Sequence, residues 1–204
     1  MPTKQFKKWV KKTNVFQYLG IHYVDIIYFA TAALPKRAMA IGEKCYLASS
    51  GINTWDSVQT VIEWKTPQGQ KFTSHILTNW IDPEKTTAMS DQKIKVIGTE
   101  GRFESDQKER GIRIITDKKG IEEPNPYFCI PYGKRGNVSY KGYGINSIGQ
   151  FLDDVAGIEK GVLRIKNLEN KRPTFRQSLV PTAALEAVNT SLANDGEWIT
   201  IRGI

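Results

Sequence analysis

The sequence predicts an α/β fold in which a large, mainly antiparallel sheet carries helices on one face. Runs of alternating residues are joined by short turns of glycine, proline and aspartate, a pattern typical of hairpin-linked strands. The last third of the chain changes to a helical spacing of apolar residues, as expected for helices that cover a sheet. With 204 residues, 40% of them hydrophobic and 25% charged, the chain can bury a substantial core.

The first helix is predicted from apolar and small residues that share one stripe. It is expected to end before Pro35, because the residue that precedes a proline avoids the helical conformation. The stripe consists of Ile21, Val24, Ile27, Tyr28 and Thr31.

The middle of the chain reads as strands. A strand over 37–41 is followed by a hairpin of 57–64 and 71–77, whose turn contains Pro67 and Gly69. Further strands are predicted over 93–97, 102–105 and 112–116, with glycine-containing turns at 98–101 and 117–120. The prolines at 124, 126 and 131 predict an irregular loop or an edge strand.

Two amphipathic helices are predicted in the last third. The first carries Ile145, Ile148, Phe151, Leu152 and Val155, and the second carries Ala184, Leu185, Val188 and Leu192. Pro181 suits the first turn or a kink of the second helix, and Gly196 suits its C-terminal cap. Short strands are predicted over 162–165 and 198–201.

Composition limits the class of protein. No repeat, linker or boundary is evident, so residues 1–204 are predicted to form a single domain. The longest apolar run, over 24–34, is too short to span a bilayer, and the basic N-terminus lacks a signal core, so the expected location is the cytoplasm. Cys45 and Cys129 are expected to be reduced, buried thiols, and with His22 and His75 they form no metal-ligand pattern.

The net charge of +8 has several interpretations. It fits a nucleic acid, an anionic substrate or merely a basic surface, and we favour the basic surface because only the first dozen residues cluster. Phe6, Trp9 and Val10 have the spacing of an amphipathic helix with solvated lysines. Neither nucleic acid nor membrane is therefore a predicted partner.

Gly142-Tyr143-Gly144 lies between a possible strand, 137–140, and a helix. Glycines at such a turn can let a pyrophosphate approach the start of a helix. The spacing does not match GxGxxG, and only one βαβ-like unit is present, so we interpret this segment as a structural loop.

His22 is the strongest candidate for chemistry. A lone histidine beside apolar residues is usually part of a core, but Gly20 can bring backbone close to a ligand and Asp25 follows one helical turn later. A neutral imidazole can take the proton of a sugar hydroxyl while hydride leaves the same carbon for a nicotinamide. His75, inside a predicted strand, lacks this support.

These residues resemble a known family. The segment 20–25, Gly-Ile-His-Tyr-Val-Asp, is similar to the Gly-x-His-x-x-Asp that opens the C-terminal domain of the glucose-fructose oxidoreductase, inositol dehydrogenase and MocA-like family. Segment 97–104 resembles its Ile-x-Gly-Thr-Glu-Gly turn, 80–83 its Ser-Trp segment, and 187–197 its closing Ala-x-x-x-Ser-x-x-x-x-Gly helix end.

The resemblance implies an open, mostly antiparallel sheet with helices and the active-site cleft on one face. The other face commonly forms a dimer interface. It also implies a missing partner, since in the family an N-terminal Rossmann domain holds NAD or NADP and supplies a catalytic lysine. The chain is therefore expected to be an isolated C-terminal domain, which needs its nucleotide-binding domain for activity and binds no cofactor by itself.

The chain departs from the family where the aspartate of the Asp-x-x-x-His pair is expected, because that position is Tyr18. A phenol can hydrogen-bond or act as a weak acid, but it is a poor base at neutral pH. The resemblance carries over only His22, as the acid–base residue. We expect Tyr18 to be its helper and Asn14, Trp80 and Asp82 to be substrate-binding residues.

The expected function is that of the substrate-binding domain of an NAD(P)-dependent oxidoreductase that acts on a sugar, nucleotide sugar or cyclitol hydroxyl. The alternative is a dimerising scaffold or binding protein that kept the sheet and lost the chemistry.

Overall fold

The computed structural model describes residues 7–83, 91–106, 111–123, 130–134, 136–169 and 171–204. The chain divides into two compact units, Met1–Pro83 with Glu169–Ile204, and Glu84–Leu168. The prediction of one domain over 1–204 stays a prediction. No helix within the described ranges is both long and apolar enough to cross a membrane.

The first unit contains a four-stranded antiparallel sheet in the order β10-β1-β2-β3. Its strands are β1 (Leu34–Glu43), β2 (Ser57–Lys65), β3 (Lys71–Asn79) and β10 (Ile199–Thr200). Its helices are α1 (Lys7–Val10), a π-helix (Phe16–Gly20), α2 (Ile21–Thr31), α3 (Tyr46–Ser49) and α5 (Phe175–Ala193).

Alternation along the strands gives this sheet one buried and one open face. On β2, Val58, Thr60, Ile62 and Trp64 are buried, whereas the residues between them are exposed or half-buried. The helix α5 packs against β1 and α2 packs against α5 on the buried side. The core of the first unit therefore lies between its sheet and these two helices.

A serine hydroxyl joins α5 to the edge of β1. The ladder of β1 and β10 pairs Arg37 with Thr200 and Ala38 with Ile199. Two residues further along, Ala40 N–H donates to Ser191 Oγ at 2.9 Å, and the same hydroxyl donates to Glu197 O at 2.7 Å. Ser191 is fully buried and bridges two backbone groups that the ladder no longer joins directly.

The second unit contains a four-stranded antiparallel sheet, a two-stranded sheet and a long helix. The strands are β4 (Lys93–Gly98), β5 (Gly101–Asp106), β6 (Gly111–Thr116), β7 (Gly120–Glu122), β8 (Ile130–Lys134) and β9 (Asn137–Lys141). The helices are α4 (Tyr143–Glu159) and a 3-10 turn, Ile165–Asn167. Between residues 91 and 168, none of the residues whose burial the structure describes is buried, so that part of the unit shows no core of its own.

Most predicted elements are confirmed, including the hairpins and both late helices. The first helix ends at Thr31 instead of Leu34, because Ala32 adopts a left-handed conformation with φ 52°, and Leu34 already begins β1. Pro131 lies in a two-stranded sheet, as an edge position requires, whereas Pro124 and Pro126 lie outside the described residues. The predicted strands occupy separate sheets in the two units.

Three expectations were wrong. The segment 162–165 is not a strand: Val162 N–H and Leu163 N–H both donate to Gly157 O at 2.9 Å, so the segment completes the end of α4. Cys45 is exposed instead of buried, while Cys129 lies outside the described residues. The apolar stripe of α4, including Ile148 and Phe151, is exposed and covers no sheet in the described part of the chain.

A buried carboxylate ties the strands of the first unit together. Asp56 accepts the backbone N–H groups of Cys45, Tyr46 and Leu47 at 2.8, 2.6 and 2.8 Å. Its own N–H donates to Glu43 O, and its carbonyl accepts Trp80 N–H, both at 2.8 Å. One residue thus fixes the end of β1, the start of α3, the start of β2 and the end of β3.

We predict that Asp56→Asn destabilises the protein by about 2–3 kcal/mol, because an amide presents one acceptor where two carboxylate oxygens serve three donors. Urea unfolding followed by tryptophan fluorescence measures the change. Asp25→Asn is the matched control, since Asp25 is exposed on α2 and its substitution should change stability by less than about 0.5 kcal/mol. Equal midpoints for the two variants would contradict the assignment.

Candidate substrate and acid–base site

The candidate site is built on a helix that changes pitch. The π-helix Phe16–Gly20 continues without a break into α2, and Ile21 N–H donates to Phe16 O, five residues earlier. Such wide turns occur often at functional positions. Tyr18 lies within the wide turn, and His22 lies one turn later, at the start of α2.

Asn14 secures the beginning of this helix. Its Oδ1 accepts Gln17 N–H at 2.8 Å, which caps the π-helix, and its Nδ2 donates to Asn189 Oδ1 of α5 at 2.7 Å. The side chain is buried, with 9% exposure. Both ends of the predicted substrate-binding amide are therefore engaged in holding the helix on α5, and its contact with a substrate stays a prediction.

Gly20 is needed for packing. It is buried, and its backbone is helical with φ −63°, so the position requires no special conformation. A Cβ atom at Gly20 would overlap the ring of Phe16, which is fully buried and has no room to move. Gly20 thus makes room for the ring of Phe16, four residues earlier in the same helix, and the approach of its backbone to a ligand stays a prediction.

His22 and Tyr18 both reach the surface. His22 and Asp25 are exposed on α2, and Tyr18 has 42% of its surface exposed. Among the described residues, neither the imidazole nor the Tyr18 hydroxyl makes a hydrogen bond. The structure thus places both groups on adjacent turns, where a substrate can reach them, without joining them directly.

An aromatic cluster surrounds Tyr18. The Trp9 ring meets it edge to face with centroids 5.3 Å apart, and the Trp80 ring lies 6.3 Å from Tyr18 and 6.4 Å from Trp9. Trp80 is only 4% exposed and forms the floor, whereas Trp9 is 42% exposed. We call Trp9, Tyr18 and Trp80 the aromatic platform.

Trp80 is fixed through its backbone. Its N–H donates to the carbonyl of buried Asp56 at 2.8 Å, just beyond the end of β3. Its indole N–H is buried and has no hydrogen-bond partner in the described part of the chain. Asp82 follows two residues later, is half-buried, and makes no ion pair with described residues.

The structure therefore brings Tyr18 and Trp80 together, and Asn14 and His22 belong to the same helical segment. Among the described residues, no hydrogen bond or ion pair joins Asp82 to these four residues. Two residues were missed as site residues. Trp9 was interpreted only as part of an amphipathic helix. Asn189 was interpreted only as part of a helix-end motif, because sequence spacing does not reveal that it pairs with the distant Asn14.

Comparisons with known proteins agree with the fold. No protein-family model matches the chain, and no curated protein matches it in sequence. Solved structures do match. An inositol dehydrogenase homolog from Azotobacter vinelandii, complexed with NADH and myo-inositol, superposes with a TM-score of 0.67 at 15% identity over 98% of this chain and 53% of that chain.

Two further structures show the same likeness. The UDP-N-acetylglucosamine 3-dehydrogenase of Acidithiobacillus ferrooxidans gives a TM-score of 0.57 at 15% identity, over 94% of this chain and 51% of that chain. The aldose-aldose oxidoreductase of Caulobacter crescentus, complexed with glycerol, gives 0.59 at 14% identity, over 91% and 47%. The chain spans about half the length of these solved chains. Its fold is that of a domain of these oxidoreductases, which confirms the resemblance at the level of the fold.

We predict that Gly20→Ala destabilises the protein by about 1–3 kcal/mol, because the new methyl group overlaps a locked Phe16 ring. Gly149→Ala, in the middle of α4 with open space at its Cβ, is the matched control and should stabilise by about 0.5–1 kcal/mol. Urea midpoints measure both. Phe16→Leu introduced together with Gly20→Ala should recover part of the loss, and strict additivity of the two changes would rule out the proposed overlap.

Proposed function

We propose that the chain is the substrate-binding domain of an NAD(P)-dependent oxidoreductase that acts on a hydroxyl group of a sugar, nucleotide sugar or cyclitol. The observation that carries the proposal is the exposed His22, one turn after Tyr18 and beside the aromatic platform, in a fold shared with sugar oxidoreductases. His22 is the proposed acid–base residue and Tyr18 its helper. Asn14, Trp80 and Asp82 are the proposed substrate-binding residues.

The proton step belongs to this chain. As the substrate hydroxyl becomes a carbonyl, its O–H bond breaks and the proton passes to a ring nitrogen of His22, while the C–H bond pair leaves as hydride. A nicotinamide, bound by a nucleotide-binding domain, supplies the hydride acceptor. Because His22 is exposed, it can receive and release a proton to solvent between turnovers.

Tyr18 replaces the carboxylate that would hold a charged imidazole. A phenol donates a hydrogen bond readily but takes a proton poorly at neutral pH. In this proposal the Tyr18 hydroxyl donates to the substrate oxygen, and His22 alone takes the proton. The second candidate function is a scaffold that has lost the chemistry, and tyrosine in place of the carboxylate favours it as well. An activity assay distinguishes the two functions.

We predict that His22→Ala lowers kcat at least about 100-fold when the chain is joined to the nucleotide-binding domain from its native gene, because general base catalysis contributes about 10²–10⁴. NAD or NADP reduction is measured over a panel of myo-inositol, glucose and UDP-N-acetylglucosamine. His75→Ala is the matched control, since His75 is exposed on β3.

If His22→Ala turned over as fast as the parent, His22 would not be the acid–base residue. If the joined protein bound substrate but reduced no cofactor with any of the three compounds, the scaffold would be the better description.

The open face of the first sheet is the proposed surface for homo-oligomerisation. Ile41 and Leu77, which flank Gln59 across three strands, are 58% and 74% exposed, and Met39 and Val61 lie on the same face. At its edge Arg37 and Glu63 form a bidentate pair that holds the pKa of Glu63 below its ordinary value. An apolar centre with a charged rim is typical of an interface between copies.

We predict that Leu77→Lys converts the dimer to a monomer, because the interface would then bury an unpaired charge at an apolar position. Sedimentation velocity of the 204-residue chain measures the mass. Val162→Lys, at an 83% exposed apolar residue of the second unit, is the control and should leave the mass unchanged. A parent chain that sediments as a monomer would exclude this surface as a stable interface.

A further inference from the structure

The aromatic platform lies in the most basic part of the chain. Residues 1–24 contain five lysines and no aspartate or glutamate, whereas the net charge of the whole chain is +8. Two of the three platform residues, Trp9 and Tyr18, come from this stretch. Exposed aromatic rings and lysines without acidic residues nearby in sequence therefore coincide in one short segment.

The cations stand next to Trp9 in the structure. Lys8, Lys11 and Lys12 are all exposed, and Lys12 N–H donates to Trp9 O at 2.9 Å, which turns the chain back beside the tryptophan. Val10, in the same short helix, is fully buried and anchors it to the core. The rings and the lysines thus belong to a segment that is held in place.

This combination suits one kind of ligand. A planar base stacks on an exposed aromatic ring, and a phosphate is attracted by lysine side chains. A free polyol can pack its C–H groups on an aromatic ring but carries no charge, so it would leave the lysines unused.

We propose that the aromatic platform binds the nucleoside diphosphate group of a nucleotide sugar. The base stacks on the exposed ring of Trp9, while Lys8, Lys11 and Lys12 neutralise the diphosphate and the Tyr18 hydroxyl remains with the sugar. The attached sugar then lies toward His22, which follows Tyr18 by one helical turn. This inference rests on the proposed function and narrows its substrate to nucleotide sugars.

Equilibrium binding to the 204-residue chain tests the proposal without any requirement for catalysis. The probes are UDP-N-acetylglucosamine, UDP, N-acetylglucosamine, myo-inositol, NADH and a single-stranded oligothymidylate, each followed by tryptophan fluorescence and calorimetry. We expect UDP and UDP-N-acetylglucosamine to bind and the uncharged N-acetylglucosamine and myo-inositol to bind at least tenfold more weakly. The affinity for UDP should fall with added salt.

Variants locate the site. Trp9→Leu should weaken UDP binding about tenfold, since one base-stacking contact is lost, whereas Trp9→Phe should recover most of it. Trp198→Leu, at an exposed tryptophan that stacks on Arg37, is the matched control and should change the affinity less than twofold. Replacement of Lys11 and Lys12 by glutamine should flatten the salt dependence, and the same change at Lys65 and Lys118 should not.

Each contrary result is decisive. If N-acetylglucosamine or myo-inositol bound as tightly as UDP, the substrate would not be a nucleotide sugar, although His22 could still act on it. Tighter binding of NADH than of UDP-N-acetylglucosamine would assign the platform to the cofactor, and tighter binding of oligothymidylate would assign it to nucleic acid. Binding of UDP that Trp9→Leu leaves unchanged, or no binding at all, would overturn the proposal.

Discussion

The carboxylate of Asp56 is the interaction on which the first unit depends. It satisfies three consecutive backbone donors at the start of α3, and its own backbone joins Glu43 and Trp80. A buried charge is costly unless its oxygens accept hydrogen bonds. Here the donors belong to a four-residue helix whose own N-cap residue, Cys45, supplies no side-chain hydrogen bond. The charge and the short helix therefore stabilise each other, and together they set where β3 ends.

The hydrogen bonds of Asp56 also help to position the candidate site. Asp56 places Trp80, Trp80 supports Tyr18 and Trp9, and Asn14 bonds to Asn189 to hold the start of the π-helix on α5. The helix α5 is positioned in turn by Ser191, whose hydroxyl bridges Ala40 and Glu197. Apart from the ring contacts of Trp80, these supports are hydrogen bonds between segments that are distant in sequence, and together they position the helix that carries His22 and Tyr18.

Local patterns predicted most of the fold, because alternation and helical spacing depend on neighbouring residues alone. They failed at local contacts that periodicity does not describe: Val162 and Leu163 donate their N–H groups back to the carbonyl of Gly157, and Gly20 makes room for the Phe16 ring four residues earlier in the same helix. The Ser191 and Gly196 positions of the helix-end motif were visible in sequence. Their purpose was not, since it depends on Ala40, which lies opposite Glu197 only after β1 and β10 have paired.

The replacement of a carboxylate by Tyr18 changes the site more than the loss of one base. A carboxylate beside His22 would stabilise a charged imidazole, but it would also repel a phosphate. With tyrosine at this position, residues 1–24 carry only positive charge, and the ring gains Trp9 and Trp80 as neighbours. In the proposed site, tyrosine at this position would therefore weaken the proton relay and leave room for an aromatic base and its phosphates. In such a site binding energy from the nucleotide, remote from the reacting carbon, can position the sugar hydroxyl at His22 and offset the missing carboxylate.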